Sequence, residues 1–363
     1  MRAPKQSHPR YLAFAERSSR SCSGALARIL AEFLSRGLAV LFRRFRGEGV
    51  RRLCFGILVI VTAAGSLAAQ EFGTLQPWPS TPPSPAGATP GYWTIPGFYT
   101  PYPAVDLAEF QLQSQVLPHE ILYQSYLAGP KEPRLGTQLH WEADERILWD
   151  TTLGGRFGWF RLVSPDRRWV WQVDVEGAAV LRLDADQSAD LESVDYRFGL
   201  PLTAAMGPNR FKIGYEHLSA HLGDEFLLRN PGIPRENYVR DAIVAGYARY
   251  LSERIRVYGE ASWAFSRDVA DPWQFQVGAE YAPTRATGAL GAPFLAVNGL
   301  LREEVDFGGT LTVHAGWAWR QWNSQGPGRL LRAGAFYQTG KSSQQSFPFA
   351  SETQYGLGAW YDY

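Results

Sequence analysis

Cysteine is nearly absent. Cys22 and Cys54 are the only two, and both lie upstream of a small-residue stretch that ends at Ala69. A chain processed there keeps no thiol, which excludes disulfide-stapled scaffolds, thiolate metal sites and cysteine nucleophiles. Cys54 follows Arg52-Leu53 rather than a small residue, so no lipid anchor is expected. Long apolar runs are missing too: after Ala69 none reaches the roughly 20 residues of a spanning helix. Charge of one sign is also missing, since 36 basic and 35 acidic residues leave a formal net charge of +1, and that gives no electrostatic argument for nucleic acid. No phosphate loop or dinucleotide fingerprint occurs, and no cofactor is expected.

What is present begins with arginine. Residues 1-52 are basic and poor in acids, and they run into the apolar stretch Leu53 to Gly65, followed by Ser66-Leu-Ala-Ala69. A basic region, a short apolar core and a small-residue cleavage signal read as a secretory signal peptide cleaved near Ala69. Residues 1-49 are not needed for export, and a start at Val50 would give a conventional precursor. Segment 24-46 spaces apolar residues at roughly helical intervals among arginines, a pattern open to a short amphipathic helix. Residues 1-69 are therefore set apart from the mature fold. Residues 70-118 hold Trp78-Pro-Ser-Thr-Pro-Pro-Ser-Pro and the stretch Pro90 to Pro103, rich in proline, glycine and aromatics. Such a composition disfavours helix and central strand and reads as a periplasmic arm or linker, whether disordered, an ordered plug or a recruiting segment. Residues 119-363 form the third region, with His119 to Arg134 leading into it.

From about Leu135 onward apolar residues alternate with polar ones. In 169-183, Trp169, Trp171, Val173, Val175, Ala179, Leu181 and Leu183 alternate with Gln172, Asp174, Glu176 and Arg182; segments 254-265 and 273-281 behave alike. The chain closes with Tyr355, Leu357, Ala359, Tyr361 and Tyr363 on one strand face, ending on an aromatic. Period two with one apolar face fits either a soluble sandwich or a barrel in lipid. Connections favour the barrel: those at 164-166, 204-209, 251-253 and 323-328 read as short turns, those at 184-192, 220-237, 266-272 and 341-352 as longer polar loops. The expected fold is all-β, a transmembrane antiparallel up-and-down β-barrel of about 12 strands. Asp174, Glu176, Arg182, Asp195, Arg197, Arg210, Lys212, Glu216, Arg256, Glu260, Glu280, Arg320 and Arg332 fall on the inward face in these registers, as do His140 and His314. A lumen of mixed sign is either filled by paired charges or a narrow, weakly selective pore.

Long motifs occur in order: Tyr126-Leu-Ala-Gly-Pro-Lys-Glu-Pro-Arg134, Tyr215-Glu-His-Leu-Ser-Ala-His-Leu-Gly-Asp-Glu225, Arg229-Asn-Pro-Gly232, Asn237-Tyr-Val-Arg-Asp241, Val297 to Gly309 and the closing Trp-Tyr-Asp-Tyr. Together they resemble the bacterial family called domain of unknown function 1207. The resemblance implies an exported barrel and no particular activity.

The leading chemical candidate lies in 209-219, where Phe211, Ile213, Tyr215, His217 and Ser219 share one face and Arg210, Lys212, Glu216 and Leu218 the other. With the charged face in the lumen, His217 and Ser219 look outward, near the rim carrying the longest loop. A histidine beside a serine can act as base and nucleophile on a lipid ester, provided that a third group orients the imidazole. The pair is similar to the His-x-Ser motif of outer-membrane phospholipase A and of lipid A deacylases. There, a polar residue about a dozen positions after the serine orients the histidine; here that position is Pro231, and Asn230, Glu236, Asn237 or Asp241 would have to substitute. The same residues also suit an interfacial belt of polar and aromatic side chains, and His217, His221, Asp224 and Glu225 are candidate metal ligands if they converge. The cluster Arg302-Glu303-Glu304-Val305-Asp306 reads as a loop or lumen salt-bridge network.

Two functions follow. The first is a non-enzymatic outer-membrane barrel acting in envelope structure, narrow-pore permeability or surface binding. The alternative is a lipid acyl hydrolase using Ser219 and His217. The expected partners are outer-membrane lipid and, through the strand ending at Tyr363, the barrel-assembly machinery.

Overall fold

The computed structural model describes residues 112–142, 146–320 and 329–363, with the backbone of a short hairpin formed by β1 (Trp93–Ile95) and β2 (Phe98–Thr100). The expected signal peptide, most of the expected arm and the turn expected at 323-328 lie outside the described residues. The described chain then runs β3 (Gln113–Val116), β4 (Leu135–Glu142), β5 (Ile147–Val163), β6 (Val170–Asp184), β7 (Asp190–Met206), β8 (Asn209–Leu222), α1 (Asp224–Arg229), β9 (Val239–Tyr250), β10 (Ile255–Asp268), β11 (Trp273–Tyr281), β12 (Ala292–Arg302), β13 (Gly309–Arg320), β14 (Leu330–Lys341) and β15 (Ser351–Asp362). Each strand from β4 to β15 pairs antiparallel with its sequence neighbour, and β15 returns to β4 with Tyr361 opposite Leu135 and Gln354 opposite Glu142. The result is a closed 12-strand up-and-down barrel with one extra strand.

Alternation decides which way each strand faces. Along β6 every second residue from Val170 to Asp184 is buried, and those between are partly exposed. All thirteen inward charges expected from the sequence are buried, together with His140 and His314. Leucines, tryptophans and phenylalanines such as Leu153, Phe157, Trp263, Phe265, Trp317 and Leu357 stand exposed on the opposite face. An exposed apolar wall around a buried ionic centre inverts the pattern of a water-soluble protein and suits a hydrocarbon surround.

The lumen is filled. β3 and β4 lie along the same edge of β5, against residues 160–163 and 147–153 respectively. Between these levels the chain leaves the wall, and residues 120–134 fold largely inside. Gly158 sits where it turns in: a Cβ there would come within 2.6 Å of Pro118 and 2.7 Å of the Gln172 amide. Inside, Tyr123 and Tyr126 are buried, their hydroxyls 2.7 Å apart. Tyr126 stacks on Tyr258 at 3.8 Å and donates to Glu260 at 2.7 Å. Backbone carbonyls of the segment receive arginines: Arg256 donates to Gln124 O at 2.9 Å and Ser125 O at 2.6 Å, and Arg332 to Leu127 O at 3.0 Å. The Leu127 N–H donates to Glu280 at 2.6 Å. His119 to Arg134, which in sequence reads as a lead-in, is thus largely a luminal plug.

The other mouth is closed from above. Ser342 to Ser346, between β14 and β15, are buried, and Arg302 donates to Pro348 O at 2.8 Å. Lys131 of the plug bonds both Asp195 and Gln344, and the Gln345 N–H donates to Asp195 at 2.8 Å, so plug and loop share one anchor. Burial pulls the Lys131 ammonium below its ordinary range against the opposing pull of Asp195, and pushes the Glu132 carboxyl up despite Arg197 and Lys212 nearby.

Loop lengths differ from expectation in two places. The link expected at 266-272 shrinks to 269–272, because β10 continues to Asp268 through a bulge, and that at 184-192 shrinks to 185–189. Among the described residues only 223–238 and 342–350 remain as long loops on that rim, while the opposite rim carries the link 282–291. The polar residues flanking these turns belong to the strands' rim ends, which are polar because they leave the apolar belt.

Candidate active site on the outer face of the barrel

β8 presents its face as expected. Arg210, Lys212, Glu216 and Leu218 are buried inward, whereas Tyr215, His217, Ser219 and His221 are partly exposed. Ser219 lies three residues before the end of β8 at Leu222, close to the outer rim. Its register neighbours are Tyr196 on β7 and Val239 on β9.

The carboxylate that meets His217 comes from the next strand. β9 pairs with β8 so that Asp241 stands opposite His217, and His217 Nδ1 lies 2.8 Å from Asp241 Oδ1. The side chains are 36% and 22% exposed, so a pair able to reach lipid is not sealed in the core. Tyr215 Oη donates to the same oxygen at 2.6 Å. With Nδ1–H held by the carboxylate, Nε2 is the nitrogen free to accept a proton. Ser219 is two residues on, about 7 Å along the same face, and no hydrogen bond joins it to His217 among the described residues.

The remaining candidates have other employment. Asn230 donates from Nδ2 to Phe226 O at 2.9 Å and closes α1, and Asn237 donates to Asp268 at 3.1 Å. Glu236 is partly exposed in the loop. Asp224 and Glu225 form the exposed first turn of α1, and the His221 ring tilts against Tyr196 at 5.9 Å. Among the described residues no group of three or more His, Cys, Asp or Glu is arranged to hold a metal ion. The Arg302–Asp306 cluster holds the outer rim together: Arg302 pairs with Glu304 at 3.3 Å, Glu303 accepts the Trp273 N–H at 3.0 Å, and Glu304 accepts from Tyr238 at 2.9 Å. Spacing along the chain leaves Asp241 as one of four candidates, because 223–238 is longer than a simple hairpin loop; the strand register brings it, and not the other three, opposite His217.

Twelve strands closed on a filled ionic lumen, with an apolar outer wall, define a transmembrane β-barrel of the bacterial outer-membrane kind. The chain belongs to the family described as Protein of unknown function (DUF1207), which it matches over residues 98–363. No curated protein matches it. Among solved structures it is similar to outer membrane phospholipase A from Escherichia coli, at 11% identity and a TM-score of 0.42 over 63% of this chain and 92% of that one. It is also similar to the Salmonella typhi outer membrane phospholipase dimer with bound calcium, at 13% identity and a TM-score of 0.44 over 65% and 94%. A Rh. blastica porin mutant follows at 9% identity and a TM-score of 0.26 over 64% and 99%. Likenesses this remote carry no argument about activity.

Proposed function

We propose that the protein is an outer-membrane lipid ester hydrolase in which Ser219 is the nucleophile, His217 the general base and Asp241 the group that orients it. The observation that carries this reading is the 2.8 Å contact between His217 Nδ1 and Asp241 Oδ1 on the lipid-facing wall. Ser219 Oγ attacks the acyl carbonyl while His217 Nε2 takes its proton; the protonated imidazole, stabilised by Asp241, returns it to the departing alkoxide. Water then repeats the sequence on the acyl-serine. The site's height suits the substrate: an ester at the outer interface reaches Ser219, and its acyl chain runs along the exposed Leu200, Ile213 and Ile243. Outer-leaflet phospholipid and lipid A both present such an ester.

Conduction has less support, because plug and outer loop occupy the lumen from both ends. The test is direct. The refolded protein in mixed micelles is given phospholipid or lipid A, and released fatty acid is followed for the wild type, Ser219→Ala and Asp241→Asn. Release that disappears with Ser219→Ala and falls with Asp241→Asn is expected. No release by the wild type, or equal release by Ser219→Ala, ends the proposal.

A further inference from the structure

Asp241, on β9, is met from both neighbouring strands. Tyr215 and His217 on β8 both reach its Oδ1, at 2.6 and 2.8 Å. On the far side, the β9–β10 register slips between Ala264 and Ser266, placing Ser266 opposite Asp241. The bulge leaves Phe265 and Ser266 both exposed, and the Phe265 ring lies 6.4 Å from that of Tyr215. Bulges redirect side chains at the cost of a regular ladder, and here the slip falls level with the carboxylate.

A carboxylate on the lipid-facing side of a barrel is poorly solvated. Left with the imidazole alone, it would gain by rotating toward water at the rim and dropping His217. A charge-assisted hydrogen bond from a phenol braced against a neighbouring ring opposes that rotation. We infer that Tyr215 is a positioning residue of the hydrolytic site, fixing Asp241 so that His217 keeps its Nδ1–H toward the carboxylate and its Nε2 toward Ser219. This rests on the hydrolase reading and adds a fourth member to it. The titratable and charged groups around His217 are Tyr215 and His221 on β8, Tyr196 on β7, Asp241 on β9, and Arg267 and Asp268 at the exposed end of β10; Glu216 and Arg240 turn inward.

The experiment compares wild type, Tyr215→Phe and Ser219→Ala, each refolded and checked by heat-modifiable gel migration. Two measurements are made: the kinetics of fatty-acid release from phospholipid micelles, giving kcat and KM, and the downfield Nδ1–H proton resonance of His217, assigned by its loss in His217→Gln. Tyr215→Phe is expected to lower kcat roughly tenfold at unchanged KM, the scale of one charge-assisted hydrogen bond, and to broaden the resonance into solvent exchange. Ser219→Ala should abolish release yet keep the resonance. If Ser219→Ala abolishes release while Tyr215→Phe leaves kcat or the resonance unaltered, the role of Tyr215 is wrong and the hydrolase reading survives. If the wild type releases nothing, both fall. Should Tyr215→Phe not refold, Tyr215→Trp, which keeps a girdle ring but displaces the donor, is read by the same criteria.

Discussion

Glu280→Ala tests the packing of the lumen most directly. Glu280 is buried on β11, accepts the Leu127 N–H of the plug at 2.6 Å and pairs with Arg256 at 2.8 Å. Arg256 in turn donates to two plug carbonyls. Removing one partner of a buried ion pair costs about 3–5 kcal/mol, and stranding a buried N–H adds about 1–3 kcal/mol. The two losses share a site and do not add fully, so about 4 kcal/mol is expected, near a thousandfold in the unfolding equilibrium. Glu280→Gln keeps an acceptor for Leu127 while losing the charge and should fall between. The measurement is urea unfolding in detergent micelles by tryptophan fluorescence, with heat-modifiable migration as a second probe. A loss below about 1 kcal/mol for Glu280→Ala would mean that water already fills this part of the lumen, and the description of a packed plug would be wrong.

Three further expectations follow from the same geometry. In planar bilayers the wild type should be electrically silent, whereas deletion of 119–134 should give discrete conductance steps; a silent deletion variant that has refolded would show that the outer loop alone seals the barrel. Gly246→Val should destabilise by about 1–3 kcal/mol, because a Cβ there already meets the Tyr123 hydroxyl at 2.9 Å, and an unchanged urea midpoint would count against that contact. Burial, with Glu304 beside it, pushes the Tyr238 phenol up to about 12 from an ordinary 10.0. The unfolded phenol ionises first, so its contribution is complete below pH 10.0 and is lost as pH rises through about 12. Tyr238→Phe should flatten that part of the stability curve between pH 9 and 12.

Most of the wall is legible in the sequence because one chemical rule repeats along it. Period two fixes the face of Asp174, Arg182, Glu260 and Arg332, and equally of His217 and Ser219, without knowledge of any partner strand. Asp241 is not legible in this way, since its place opposite His217 depends on where β9 resumes after 223–238, a register that spacing along the chain does not encode. The plug has no period at all. Tyr126 and Lys131 are placed by carboxylates on β10 and β7 and by Gln344 in the outer loop, and its glycine and prolines read simply as loop. The rim lengths were overread for a related reason: a polar strand end and a loop have the same composition, and the bulge at Ala264–Ser266 carries β10 farther than its residues announce.

Because β3 and β4 share one edge of β5, the filling of this barrel enters beside β4, the strand on which the wall closes. Arg134, at the plug's exit, lies 3.4 Å from Asp362, at the end of β15. The seam of the wall and the exit of its contents therefore coincide, and the carboxylate that ends the last strand doubles as a counter-charge for the segment inside.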